Sequence, residues 1–420
     1  MPIRSPEFSA WICVALFGCA ALPLIAANYD QGRAYYDQVT YHYPAIRHFL
    51  DGGDFRDYSS ATTPGFHLLL AAVARAVSDS ERLLKLASLL ITSVLIWMVS
   101  VRVARKVQSV ALTIVLLLPL LFSIYFFPAG VWLLPDNLAW LSVFWVLELA
   151  LEFHDTRRWY VQAAAALAFA VLVRQSNIWL CLVVCSVAVA PCGERLDAAQ
   201  FARRFFAAAL ASLPCSILLG YFVILWHGMV PPSFAERHSD LNLAAIAYFA
   251  AIVGFYGLFY LPLVWSQVRG LTRTAAASRP LWWGALFGLT AALLSPTDWN
   301  PDAGRVSGLW NLTRLLPSWH HRSVLITGLA VLGGASGALW LSLAPGRLRV
   351  VIIATAVGFG LAQCLSHFVY ERYYAGLIFL LLLMLIRERR GDPAAMPPLS
   401  LAGPLAFAAL NVTILGAALL

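Results

Sequence analysis

Apolar runs of membrane-spanning length follow one another along this chain. They sit near residues 8–27, 84–101, 110–127, 137–151, 160–174, 177–191, 206–226, 243–265, 281–296, 323–343, 350–366, 374–386 and 398–419, thirteen in all. A bilayer helix needs roughly 17–25 mostly apolar residues at a rise of about 1.5 Å each, so the shorter runs must borrow from their polar flanks. Backbone amides cannot stay unpaired in hydrocarbon, and a helix pairs them within its own segment. The chain is therefore expected to be an all-α polytopic membrane protein, with one transmembrane domain over residues 1–420. Composition agrees, with 61% hydrophobic and 12% charged residues. An ordinary soluble domain carries about 25% charged residues, and its core has no room for so much apolar surface.

The first run follows a short start that carries Arg4. A cleaved signal peptide is the rival reading, but the apolar length favours an uncleaved anchor. A further run, 64–77, has only 14 residues. It would reach about 21 Å, so it is expected to lie in the interface or to re-enter. The formal charge of +8 does not indicate nucleic acid, because the basic residues form short clusters between apolar runs. Seven cysteines (13, 19, 181, 185, 192, 215 and 364) fall in or beside apolar stretches, without CxxC pairs or metal-ligand spacing. They read as buried free thiols.

Basic residues also orient the chain. With the N-terminus inside, cytoplasmic segments hold seventeen Lys and Arg residues, including Arg102, Arg105, Lys106, Arg195, Arg273, Arg387, Arg389 and Arg390. The short outer loops after the first hold six: Arg174, Arg237, Arg305, Arg314, Arg322 and Arg372. The bias follows the positive-inside rule. It places most of the acidic, His and Trp-rich loop sequence outside, so function is expected at the extracytoplasmic face.

The largest outer segment, 29–82, is expected to hold interfacial helices. Its centre reads Tyr35-Tyr36-Asp37-Gln38-Val39-Thr40-Tyr41-His42-Tyr43-Pro44. A carboxylate at the edge of a low-dielectric slab suits general-base work, and a helix N-cap explains Asp37 equally well. Thr62-Thr63-Pro64-Gly65 reads as a turn. In the second outer loop, Asp136 is the only charge between Lys106 and Glu148. An ionisable residue bordering a span is a functional candidate, with helix capping as its rival. The third loop is a polar knot, Arg174-Gln175-Ser176-Asn177-Ile178-Trp179. Its Arg174 would bind a phosphate, neutralise Asp136 or snorkel to the interface. The fourth runs from His227-Gly228-Met229-Val230 to Glu236-Arg237-His238. The fifth gathers Asp298, Trp299, Asn300, Arg305, Trp310, Arg314 and Trp319-His320-His321-Arg322, a mixture suited to sugars and phosphates. Interfacial anchoring competes for Trp299 and Trp319. Adjacent histidines lack the i,i+4 spacing of a zinc pair. The sixth loop is Tyr370-Glu371-Arg372-Tyr373-Tyr374.

Several of these segments, in order along the chain, resemble the eukaryotic α-1,2-glucosyltransferases that use dolichyl-phosphate-glucose to finish the lipid-linked N-glycan precursor. More broadly the chain is similar to the GT-C superfamily of membrane glycosyltransferases. The resemblance is carried by Tyr36-Asp37 with His42 and Pro44, by Thr62-Thr63-Pro64-Gly65, by Arg174-Gln175-Ser176-Asn177-Ile178-Trp179, by His227-Gly228-Met229-Val230, and by Arg372-Tyr373-Tyr374. It departs from the family where an Asp-Glu pair becomes Asp37-Gln38, and where the step from the acid to the histidine is one residue longer. Lysine appears only at 85 and 106, which hints at a GC-rich, bacterial source with a polyprenyl carrier.

The resemblance implies a GT-C-like helix arrangement and transfer of a hexose, with glucose the family's sugar. The donor would be a polyprenyl-phosphate-linked sugar and the acceptor a glycan or lipid-linked hydroxyl outside a bacterial inner membrane. Asp37 is the expected catalytic carboxylate, with Asp136 the next candidate. Arg372, Arg174 and Arg305 would stabilise the leaving lipid phosphate. His42, Gln175, Asn177 and Tyr373 would complete the substrate site. Superfamily members differ in metal use, so a divalent cation is left open. A transporter or lipid flippase is the rival class. It would place ionisable residues deep in the spans and repeat its halves, neither of which the sequence displays. A non-catalytic scaffold leaves the polar outer loops unexplained.

Overall fold

The structure is a computed structural model that describes residues 5–191, 196–235, 241–272, 275–388 and 401–419. Arg4, Cys192, Arg195, Glu236, Arg237, His238, Arg273, Arg389 and Arg390 lie outside the described residues.

Among the described residues the protein is all-α apart from one two-stranded hairpin. Helix α1 (Pro6–Ala26) leads into a short segment of α2 (Gly32–Asp37), a π-turn (Gln38–His42) and α3 (Tyr43–Leu50). Then come α4 (Gly65–Ala76), α5 (Glu81–Val107), α6 (Val110–Leu121), α7 (Phe126–Val131), α8 (Asp136–Leu151) and α9 (Arg157–Val173). A 3-10 turn (Gln175–Trp179) opens α10 (Leu180–Val189), and α11 (Ala198–Trp226) and α12 (Pro232–Ala235) follow. The second half holds α13 (Ala244–Tyr260), α14 (Trp265–Thr272), α15 (Ala275–Leu294) and α16 (Leu309–Thr313). Strands β1 (Ser318–Trp319) and β2 (Arg322–Ser323) precede α17 (Val324–Leu343), α18 (Gly346–Cys364), α19 (Arg372–Glu388) and α20 (Ala402–Leu419).

Each of the thirteen apolar runs is mainly helical. Among the described residues, seven helical stretches are long and apolar enough to cross a membrane: α1, α5, α11, α13 with its 3-10 extension to Val264, α17, α18 and α20. The run at 110–127 is broken. Helix α6 carries Pro119, stops at Leu121, and turns at Ser123 before α7 begins. The run at 64–77 is the 12-residue α4, too short to span at about 18 Å. Of the cysteines, Cys13, Cys215 and Cys364 are buried free thiols, but Cys19 lies on the outer surface of α1.

Small residues let backbones touch where lipid offers no hydrophobic drive. Gly254 of α13 meets Leu329 and Gly333 of α17, while Gly284 and Gly288 of α15 meet Gly334 and Ala330 of α17. Helix α1 packs on α5, α9 on α11, and α10 on α18. Gly65 owes its place to clearance more than to the expected turn: a Cβ there would lie 2.6 Å from the Leu172 carbonyl oxygen. These contacts fix the helix ends around which the polar loops converge.

Candidate functional site

Asp37 ends α2 and is buried. Its carboxylate caps no helix, so the capping account does not describe it. Instead Arg372 Nη1 donates to Asp37 Oδ2 at 2.7 Å. The chain then enters the π-turn, where the Tyr43 N–H donates to the Gln38 carbonyl five residues back. On a regular α-helix, residues five apart point about 140° away from each other. The wider turn narrows that angle, and the His42 ring feels the charges of Arg372 and Arg174. Removal from water, then those two charges, push the His42 imidazole down to about 3. It is therefore neutral, stacks on His67, and shares a 3.0 Å Nδ1···Nε2 hydrogen bond with it. His67 Nδ1 in turn lies 2.7 Å from the Tyr58 hydroxyl.

Asp136 is the first residue of α8, and Pro135, not Asp136, stands at the cap position. Its carboxylate accepts from Arg174 Nη2 at 2.8 Å. Neutralisation of Asp136, one of the roles open to Arg174 from sequence, is thus present in the geometry. A carboxylate in the first turn also meets the positive end of the helix dipole. The guanidiniums of Arg174 and Arg372 lie 5.2 and 5.3 Å from the Tyr373 ring centre. Arg372 and Arg33 similarly lie 5.5 and 5.8 Å from Tyr370. The loop before α19 thereby gathers three cations beside two carboxylates.

A cavity of about 180 Å³ opens among them. Arg33, Asp37, Asp136 and Arg372 line its polar side, and Ile124, Trp132, Leu134, Leu415 and Leu419 line its apolar side. Next to it, Arg174 Nε, Arg372 Nε and Trp132 Nε1 are buried with no hydrogen-bond partner. An unmade buried donor costs about 1–3 kcal/mol.

The chain matches no protein-family model, no curated protein and no solved structure. What the site does must be read from its own geometry.

The structure brings Asp37, Asp136, Arg174, Arg372 and Tyr373 together, with His42 at the edge. Other candidates are held elsewhere. Gln175 Nε2 donates to the Ala61 carbonyl at 2.7 Å and its Oε1 accepts from the Thr63 N–H at 3.0 Å, so it clasps the turn before α4. Asn177 donates to the Ala170 carbonyl at 3.2 Å at the end of α9. Arg305 binds the backbone and carboxylate of Asp298 at 2.8 and 2.9 Å and does not line the cavity. Gln38, where the family carries its second acid, is buried and braces Leu133 and Glu81. Asp136 is the second carboxylate of this cavity.

Sequence reading passed over two residues. Arg33 is exposed at the cavity and, among the described residues, forms no ion pair. Its signal was available: it is the first base after the first span. Glu371 is buried beside Arg372 and was hidden by the attention its neighbour drew. Among the described residues, no three His, Cys, Asp or Glu side chains form a metal-holding group.

Proposed function

We propose that this chain is a GT-C-type glycosyltransferase that moves a hexose from a polyprenyl-phosphate sugar to an acceptor hydroxyl outside the cytoplasmic membrane. In this reading all thirteen helical runs cross or enter the bilayer. The carrying observation is the charge balance of the cavity. Arg372 pairs with Asp37, and Arg174, which stands behind the lining, pairs with Asp136; Arg33, which forms no ion pair among the described residues, therefore leaves one positive charge beside an apolar wall. A lipid phosphodiester brings one negative charge, acceptor oxygens for guanidinium donors, and a chain for the wall.

The chemistry follows from who needs what. The acceptor oxygen attacks the anomeric carbon, and the bond from that carbon to the phosphate oxygen breaks. The phosphate leaves as a charged group, so it needs cations and donors more than a proton. Arg372 and Arg33 supply these. Asp37 takes the acceptor proton, and Asp136 holds Arg174 in place. Neutral His42 adds a donor without a second charge.

The purified full chain, given a polyprenyl-phosphate hexose and envelope glycan, should release polyprenyl phosphate and label the glycan. Mass spectrometry of envelope glycans with and without the gene should differ by a hexose. No difference in either experiment would remove this reading.

A further inference from the structure

Glu371 is only 5% exposed and lies just before α19, outside the apolar run. Among the described residues no lysine or arginine pairs with it, because adjacent Arg372 turns to Asp37. Its partners are all neutral donors. The Leu309 N–H donates to Oε2 at 3.0 Å, Tyr248 to Oε2 at 3.4 Å, and Tyr256 to Oε1 at 3.2 Å. Tyr125, from the segment before α7, also faces the carboxylate and acts on its charge.

These contacts seat one loop. Gly308 has φ +61°, and a Cβ there would run into the Glu371 carboxylate. That one Tyr248 hydroxyl proton is shared with the Ser307 carbonyl at 3.3 Å, and the ring stacks on Trp310 at 4.4 Å. The Val369 N–H donates to the Gly304 carbonyl at 3.1 Å, and Trp310 Nε1 donates back to the Val369 carbonyl at 2.8 Å. Ser307 lines the cavity. Residues 304–310 therefore reach the cavity through Ser307, and Glu371 is the polar centre of their seat.

We infer that Glu371 is a positioning residue that docks the 304–310 loop against the start of α19, and that docking is coupled to binding of a proton. The coupling has a defined sign. Burial pushes Glu371 up from the ordinary 4.5 to about 7, against the pull of the Leu309 N–H and the three tyrosines. The facing titratable groups, Tyr125, Tyr248 and Tyr256, carry no charge near neutrality. When the loop lifts, water reaches the carboxylate and its affinity for a proton falls back. The docked state thus binds the proton more tightly, so docking is strongest at low pH and weakens as pH rises through 7. With titration at about 7 docked and 4.5 lifted, the lifting equilibrium grows about tenfold from pH 6 to pH 8.

Hydrogen exchange of the full chain, followed by mass spectrometry on peptides covering 304–310, tests this without reference to sugar transfer. After correction for intrinsic rates, exchange should rise about tenfold from pH 6 to pH 8. In Glu371→Gln, which cannot ionise, it should stay flat, while an α13 core peptide is flat in both. If that variant fails to fold, Tyr256→Phe gives a second reading: losing a donor to the ionised form should move the rise to higher pH. A flat profile in the parent chain, or an equal rise in Glu371→Gln, would overturn the inference.

Discussion

Arg372 Nη1 lies 2.7 Å from Asp37 Oδ2, joining residues 335 positions apart in the chain. The contact ties the start of α19 to the segment that follows α1. It also means that each partner's chemistry must be tested with the other's charge in mind.

Asp37→Asn keeps an acceptor for Arg372 and nearly the same shape. The fold should survive, with unchanged expression and melting. Transfer from a polyprenyl-phosphate donor should still fall about 10²–10⁴-fold, the usual contribution of a placed general base. Near-normal turnover would pass that role to Asp136.

The two cavity arginines should separate by their surroundings. Arg372 offers a planar fork held between Asp37 and two tyrosine rings, which a single ammonium cannot reproduce. Arg372→Lys should therefore lose at least about tenfold in kcat/KM, the scale of one charged hydrogen bond. Arg33 has no ion-pair partner to lose among the described residues, so Arg33→Ala should raise the donor KM and leave folding intact. A wild-type donor KM in Arg33→Ala would take that residue out of the phosphate site.

Gln175 was expected at the substrate from sequence, yet its amide satisfies Ala61 and Thr63. Gln175→Ala orphans a buried N–H and a carbonyl, at about 1–3 kcal/mol each. The melting temperature should drop, while turnover per folded molecule stays within a few-fold. The reverse pattern, normal melting with lost turnover, would return Gln175 to the substrate.

His42 carries a pH signature. Its imidazole titrates near 6.5 when unfolded and about 3 when folded. Below 6.5 the unfolded chain takes up a proton that the folded chain refuses, so stability falls as pH drops from 6.5 toward 3. Melting curves across that window should be shallower in His42→Gln than in the parent. Parallel curves would mean that the ring is not held neutral.

Orientation is open to chemical labelling. A cysteine placed at Asp302 should react with an impermeant reagent from outside, and one placed at Arg390 should not. Reversal of that pattern would turn the protein over and move the cavity to the cytoplasmic side.

The helices were legible because apolar runs leave the backbone no other solution in lipid. The short outer helices were legible from the same pattern at smaller length. Asp37 could be nominated as a charge at the edge of a span, and Arg372 from the resemblance that Arg372-Tyr373-Tyr374 carries. Their pairing could not, because a contact across 335 residues depends on how α1, α5 and α19 pack. Glu371 was illegible for a related reason: its donors Tyr248 and Tyr256 read as ordinary aromatic residues until the fold turns their hydroxyls toward one carboxylate.

The wide turn at Gln38–His42 stores one residue of slack. Loss of a single residue there, such as Thr40, would leave the acid and the imidazole four apart, about 40° from each other on an ordinary helix. Gain of one would set them six apart, about 120° from each other even on the shorter way round. This segment should therefore tolerate shortening far better than lengthening, so its length constrains it alongside the identity of its residues.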